Sequence, residues 1–173
     1  MLPAAPGSGK SSLAAALARQ GFSFFSDEVA LCAEDRFAVR PVPLGICVKS
    51  TGWALLTPLY PELANARTHD RVDGKIVRYL PPPPGPKDDT YHPVGAIVFP
   101  RYAPDLETAL LPLGKAEVLR RLLAECLVVR KTLDEANVGR LVEWIKAVPC
   151  YELPNSSLAE ATERLQELTA SWT

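Results

Sequence analysis

The stretch AAPGSGKSS, residues 4–12, limits most strongly what this chain can fold into. It fits the pattern G-x-x-x-x-G-K-[ST], with Ala4 at the first glycine position, Gly9 at the second, and Lys10-Ser11 completing it. The first position mainly requires a small residue at a tight turn, so alanine is compatible with it. A loop of this kind follows a buried strand and opens a helix, and its main-chain N–H groups surround a phosphate. The stretch therefore predicts nucleotide binding in an α/β domain.

Each part of this loop has a separate role in the prediction. The glycines keep side chains away from the ligand, Lys10 would reach the β- and γ-phosphates, and the Ser11 hydroxyl would bind Mg²⁺. We therefore expect ATP and Mg²⁺ as cofactors. The residues expected to hold the nucleotide are Ala5, Pro6, Gly7, Ser8, Gly9, Lys10, Ser11 and Ser12.

The strand that should precede this loop is nearly absent. Only Met1, Leu2 and Pro3 come before it, which is fewer than the ~5 residues of an ordinary strand. Two explanations are open: an upstream segment completes the strand, or a shortened strand is completed by packing elsewhere. We expect the first.

Two acidic residues, Asp27 and Glu28, follow the segment FSFFS, seventeen and eighteen residues after Lys10. A helix of about three turns, a turn at Gly21 and a returning strand would bring them back to the phosphate site. One carboxylate would serve Mg²⁺ and the other would accept a proton from an attacking hydroxyl. We predict Asp27, with Ser11, as metal ligand, and Lys10, Asp27 and Glu28 as the catalytic residues. The alternative is a solvated strand end.

The remaining sequence predicts an α/β fold in which helices flank a mixed β-sheet, as one domain over residues 1–173. The proline-rich segment 81–93 should lack regular structure. The other predicted elements are a helix over 13–20 ending at Gly21, strands over 22–32, 36–42, 43–50 and 94–100, a hairpin at Asp73-Gly74, helices over 115–129 and 133–147, and a final helix opened by the capping box Ser157 to Glu160 and ending near Ala170.

Composition excludes several classes of protein. The net charge is -1 and no long basic run is present, so we expect no nucleic-acid partner. The apolar stretches are shorter than a membrane span and there is no secretory leader, so we expect no membrane association and a cytoplasmic location. The cysteines show no CxxC pair, which argues against a zinc site and favours buried free thiols. They are Cys32, Cys47, Cys126 and Cys150.

The segment PGSGKSSLAAALARQGFSFFSDE, residues 6–28, resembles the phosphate loop, helix and acidic strand of the HPr kinase/phosphorylases. These bacterial enzymes phosphorylate a serine of a small carrier protein, and their core is related to the ATP-dependent phosphoenolpyruvate carboxykinases. The segment is more similar still to HPr-kinase-related proteins, in which S-D-E replaces a double Asp. The resemblance is specific over residues 4–50, where RPVPLGICVKS is comparable, and loose beyond them.

The resemblance implies a P-loop kinase fold and assigns roles to individual residues. Lys10 and Ser11 match the nucleotide and magnesium positions. Asp27 matches the first acid, and Glu28 matches the acid that accepts the proton of the substrate serine. The catalytic histidine of the family, a further metal-site glutamate and the stretch tied to phosphorolysis have no match here. We therefore expect no phosphorylase activity.

Three functions remain open at this point. The first is a kinase that phosphorylates a serine of an unidentified protein or peptide, with Arg71 or Arg78 steadying the transferred group. The second is a small-molecule kinase in which the segment 81–93 is a lid. The third is a module that binds nucleotide without phosphotransfer. The resemblance also implies a possible homo-oligomer.

Overall fold

The structure, a computed structural model, describes residues 1–33, 36–85, 89–126, 134–170 and 172. The chain forms two compact units. Residues 1–10, 32–39 and 91–173 belong to the first unit, and residues 11–31 and 40–90 to the second. Both α-helices and β-strands are present, so the mixed α/β content is confirmed. The described strands form three small sheets, where the sequence predicted one mixed sheet.

The strands are β1 (Leu31–Cys32), β2 (Val39–Arg40), β3 (Ile46–Lys49), β4 (Thr68–Asp70), β5 (Ile76–Leu80), β6 (Ile97–Tyr102), β7 (Leu111–Pro112) and β8 (Cys150–Asn155). The helices are α1 (Lys10–Arg19), α2 (Trp53–Leu56), α3 (Lys115–Arg121), α4 (Glu135–Ala147) and α5 (Leu158–Ala170). Two 3₁₀ turns cover Ser50–Gly52 and Pro61–Asn65, and α3 continues as a π-helical turn over Leu122–Cys126. None of these helices is long and apolar enough to cross a membrane.

The first unit is built on a mixed sheet in which β8 is central. β6 and β8 are parallel, from Ile97 opposite Cys150 to Tyr102 opposite Asn155. β7 pairs antiparallel with the other edge of β8. Apolar side chains of α3, α4 and this sheet form the core: Ile97, Phe99, Val118, Leu122, Leu141, Ile145, Val148 and Cys150.

The free edge of β6 carries the beginning of the chain. The Ile97 N–H donates toward the β8 side, to the Pro149 carbonyl at 2.9 Å. Met1 lies on the opposite side, where its ammonium donates to the Ala96 carbonyl at 2.8 Å and its carbonyl accepts from the Val98 N–H at 2.9 Å. This pattern is that of a parallel pair. Main-chain pairing parallel to β6 is thus present before the loop, although only through Met1.

The second unit contains an antiparallel sheet in the order β3-β5-β4. Its hairpin confirms the turn predicted at Asp73-Gly74, in which Gly74 has a positive φ of 74°. The Gly74 N–H donates to Arg71 and the Arg71 N–H donates to Lys75, each at 2.9 Å. The largest fully buried side chains of this unit are Ile46, Leu56, Leu63, Val77 and Leu80.

Helix α1 ends where the sequence predicts. Gly21 has φ 94°, the Gly21 N–H donates to Ala18 at 3.4 Å, and the Phe22 N–H donates to Leu17 at 3.2 Å. These two bonds form a Schellman motif, which requires a left-handed residue after the helix and so favours glycine. The Tyr60 hydroxyl donates to the Ala15 carbonyl at 2.8 Å and fixes the helix in the second unit.

The strand predicted over residues 22–32 is wrong except for β1. The Phe24 N–H donates to Pro84 at 3.2 Å, and the Phe25 carbonyl accepts from Val42 at 2.9 Å. The neighbour of Phe24 is a proline run, and proline has no N–H to continue a ladder. The main-chain groups of Phe24 and Phe25 therefore make single hydrogen bonds to different segments, and no continuous strand pairing forms.

Other predicted elements are shifted rather than absent. The strand over 36–42 shrinks to β2, and the helix over 115–129 is α3 followed by the π-helical turn, while residues 127–133 lie outside the described residues. The Glu160 N–H donates to Ser157 Oγ at 3.4 Å, as the capping box predicts. Of the expected buried thiols, Cys47 and Cys150 are buried and Cys32 is exposed; the side chain of Cys126 is not among those described.

We predict that Gly85→Ala destabilises the protein by roughly 1–3 kcal/mol or more, because close packing leaves no room for the added atom. A Cβ at Gly85 would lie 2.0 Å from the Phe24 carbonyl oxygen, which is main chain and cannot rotate away. Urea unfolding measures the change. The control is Gly139→Ala in α4, where an added Cβ would have no neighbouring atom within 4 Å. This change should raise the free energy of unfolding by about 1 kcal/mol, because alanine favours the helix. Equal effects of the two variants would contradict the packing described.

Candidate functional site

The loop that precedes α1 has an alternating main-chain conformation. Gly7 and Gly9 have φ values of 95° and 87°, whereas Ser8 between them does not have a positive φ. The Ser8 N–H donates to the Ala5 carbonyl at 3.3 Å and closes the turn. Alternation of this kind turns successive N–H groups toward one side and forms a concave anion site. The conformation therefore fits a bound phosphate.

The loop lies at the carboxyl end of β6, within the first unit. The N–H of Tyr102, the last residue of β6, donates to the Ser8 carbonyl at 3.3 Å. A Cβ at Gly9 would lie 3.4 Å from the Tyr102 Cβ, so the loop packs closely on the strand end. Ligands of open α/β sheets bind beyond the carboxyl ends of the parallel strands. The loop is thus placed where such sheets bind ligands.

One hydroxyl of the loop has an unmet hydrogen-bonding capacity. Ser8 Oγ is buried and has no hydrogen-bond partner among the described residues. A buried hydroxyl in this state costs about 1–3 kcal/mol, and a phosphate oxygen could accept its hydrogen bond. Ala5, Pro6 and Gly7 are exposed, so the loop remains accessible to solvent. Both observations fit a phosphate-binding loop.

The first turn of α1 lies next to the 3₁₀ turn that follows β3 in the second unit. A Cβ at Gly52 would lie 3.4 Å from Ser12 Oγ and 3.5 Å from Val48 Cγ1. Ser12 is therefore next to the 3₁₀ turn that follows β3. Ser11, the predicted magnesium ligand, precedes it in the same helical turn.

Asp27 is attached to the same strand. Its carboxylate is buried, with 6% of the residue exposed, and Oδ2 accepts from the Cys47 N–H at 3.3 Å. Cys47 lies in β3 and faces Tyr79 of β5 on its other side. Asp27 therefore satisfies a donor on the open edge of β3. Within this unit, Asp27 thus binds β3, and Ser12 of α1 lies next to the 3₁₀ turn that follows β3.

Glu28 is exposed and lies within electrostatic range of Arg71 and Tyr79. Arg71 Nη1 lies 3.7 Å from the Cys47 sulfur, and this contact, followed by the charge of Asp73, raises the pKa of Arg71. Cys47, followed by burial, raises the pKa of the Tyr79 hydroxyl. Arg71 and Tyr79 thus lie within electrostatic range of the predicted base, and Cys47 contacts Arg71. The sequence pattern pointed to Arg71 but not to Cys47 or Tyr79.

Arg78, the second arginine considered for the transferred phosphoryl group, has a structural position. Its guanidinium donates to the carbonyls of Leu63 and Ala64 at 2.8 and 3.0 Å. It also lies 4.0 Å from the centre of the Trp53 ring. These contacts hold the 3₁₀ turn over Pro61–Asn65 against β5.

Among the described residues, no group of three or more His, Cys, Asp or Glu side chains could hold a metal ion. Mg²⁺ at a nucleotide usually takes one or two protein ligands, with phosphate oxygens and waters as the others. The two predicted ligands, Ser11 and Asp27, agree with that number. The prediction that both acids face the loop involves residues of both units and stays a prediction.

Comparison of the chain with protein-family models, with curated proteins and with solved structures gave no match. The similarity to HPr kinase/phosphorylases therefore rests on the residues quoted above, and the kinase fold stays a prediction. What the structure contributes is the conformation of the loop and the position of each candidate residue.

We predict that Asp27→Ala lowers the free energy of unfolding by about 1–3 kcal/mol, because the buried Cys47 N–H loses its acceptor. Asp27→Asn keeps an acceptor oxygen and should cost less. Urea denaturation compares the two variants. Glu28→Gln is the control, since changes at exposed positions usually stay within about 0.5 kcal/mol. A stability of Asp27→Ala equal to that of the wild type would contradict the edge-capping role.

Proposed function

We propose that this chain binds ATP with Mg²⁺ at residues 4–12 and transfers the γ-phosphoryl group to a serine hydroxyl of a protein or peptide. The observation that supports this most strongly is the loop conformation. Gly7 and Gly9 have positive φ values. The loop lies at the carboxyl end of β6 and leads directly into α1. Main-chain N–H groups at a helix N-terminus favour a polyphosphate.

The residues of the loop would bind and orient the nucleotide. The Lys10 ammonium would neutralise the β- and γ-phosphates, and the Ser8 hydroxyl would donate to a phosphate oxygen. The Ser11 hydroxyl and the Asp27 carboxylate would hold Mg²⁺, which offsets phosphate charge when it is bound. The hydrogen bond from the Cys47 N–H would fix one oxygen of Asp27 and leave the carboxylate a defined orientation.

The acceptor side of the reaction would be carried by Glu28. Its carboxylate is exposed, so the hydroxyl of a large acceptor can approach it. A carboxylate within hydrogen-bond reach of that hydroxyl accepts its proton as a general base. Arg71, which lies near Glu28, would stabilise negative charge that develops on the transferred group.

A module that binds nucleotide without transferring phosphate is the second candidate. The position of Asp27 favours it, because the bond to Cys47 gives this carboxylate a structural role that needs no catalysis. The small-molecule kinase differs from both in that it would turn over without a protein partner.

We predict that Lys10→Ala weakens ATP binding about 10- to 100-fold, since a charge-assisted hydrogen bond contributes about 1.5–3 kcal/mol. Isothermal titration calorimetry with ATP and Mg²⁺ measures this. Lys146→Ala is the matched control, because Lys146 lies on α4, where its exposed ammonium pairs with Glu143 at 2.7 Å. Failure of the wild type to bind ATP would refute the proposal.

Transfer is tested separately with γ-labelled ATP, Mg²⁺ and cell extract. A labelled protein band that disappears in Lys10→Ala and Glu28→Gln supports the protein kinase. A labelled small molecule assigns the small-molecule kinase. Tight ATP binding without a labelled product assigns the module.

A further inference from the structure

The first unit has a groove of about 400 Å³ that is separate from the loop described above. Phe37, Tyr91, Pro93 and Trp144 line it, together with Arg36. The rings of Phe37 and Trp144 are stacked, 4.9 Å apart and inclined by 12°. The Arg36 guanidinium lies 5.4 Å from the centre of the Tyr91 ring. The groove thus combines flat aromatic surfaces with one positive charge.

The walls of this groove are held by main-chain hydrogen bonds. Phe37 has a φ of 48°, a left-handed conformation that a bulky residue rarely adopts. Its N–H donates to the Ala33 carbonyl at 3.2 Å, so the turn keeps the ring against Trp144. Val39 and His92 exchange two bonds of 2.8 Å and fix the neighbouring Tyr91. The groove is therefore formed before any ligand binds.

Grooves lined by aromatic residues are suited to proline-rich segments in the polyproline II conformation. This chain carries such a segment, Pro81–Pro84. Each of its first three residues precedes a proline, which restricts them to extended conformations. Pro81, Pro82 and Pro84 are exposed, and no regular helix or strand includes them. An ordered proline ligand loses little conformational entropy when it binds.

Charge complements this shape. Arg36 brings a positive charge to the groove, and Asp89, shortly after the prolines, brings a negative charge with 85% of its side chain exposed. Asp89 pairs with Arg40 at 2.9 Å, but a surface pair of this kind is weak and can exchange partners. We propose that the groove of one chain binds Pro81–Pro84 of a second copy, so that the protein self-associates through this contact.

Sedimentation velocity tests the proposal over about 10 µM to 1 mM, because a contact this small gives a weak and transient complex. The average mass of the wild type should rise with concentration. The double variant Pro82→Ser/Pro84→Ser should stay monomeric. Its main-chain carbonyl at position 84 can still accept the hydrogen bond from the Phe24 N–H. Pro58→Ser, at an exposed proline outside the segment, should behave like the wild type.

A charge exchange tests the partners. Arg36→Glu and Asp89→Arg should each weaken association several-fold, and the two changes combined in one chain should restore it. Circular dichroism confirms that the variants are folded. A wild type that is monomeric throughout, a proline variant that still associates, or an exchange that restores nothing would each overturn the proposal.

The peptide acetyl-Leu-Pro-Pro-Pro-Pro-Gly-amide gives an independent readout. Its addition to the wild type should shift the NMR signals of the Trp144 indole and the Tyr91 ring, and should dissociate the complex. Peptide binding by a protein that remains monomeric would assign the groove to a proline-rich segment of another protein and overturn self-association.

Discussion

The hydrogen bonds on the two sides of β6 determine where the phosphate-binding candidate lies. On one side β6 pairs in parallel with β8 over its whole length. On the other side it binds Met1 near its start and Ser8 at its end. The loop between these two contacts is therefore held at the carboxyl end of the sheet, and α1 begins directly after it. β6 therefore contributes side chains to the core of the unit and also positions the glycine-rich loop that precedes α1.

In the second unit a buried carboxylate binds the edge of a strand. Asp27 binds the edge of β3, and the opposite edge of that strand is paired with β5. Burying a charged group is costly unless it is hydrogen-bonded, so this position is sensitive to substitution whether or not a metal binds there. Arg71, in the turn of the β4–β5 hairpin, reaches Cys47 of β3 in the same region. A structural role and a catalytic role for Asp27 are compatible, because only one of its oxygens is needed for the strand.

Local signals in the sequence predicted several turns and helix ends, whereas long-range pairings could not be read from it. The glycine after α1, the Asp73-Gly74 turn and the Ser157 cap each act within a few residues, and all three are found. The absence of a strand at 22–30 depends on Pro84, about sixty residues away. The bond from Cys47 to Asp27 involves a main-chain N–H that every residue except proline supplies. For the candidate site, the sequence named the loop and the acids, but nothing in it indicated that Tyr79 lies within electrostatic range of Glu28 or that Cys47 contacts Arg71.

Pro100 in the middle of β6 has a consequence for the loop. Along β6, alternate residues direct their N–H groups to the same side, so position 100 faces the edge that binds Met1 through Val98 and Ser8 through Tyr102. Proline has no donor to offer there. The backbone leading into the loop thus accepts hydrogen bonds from β6 at Met1 and at Ser8, and Pro100 donates none between them. A change in the conformation of the residues between Met1 and Ser8 therefore breaks no hydrogen bond to position 100 of β6.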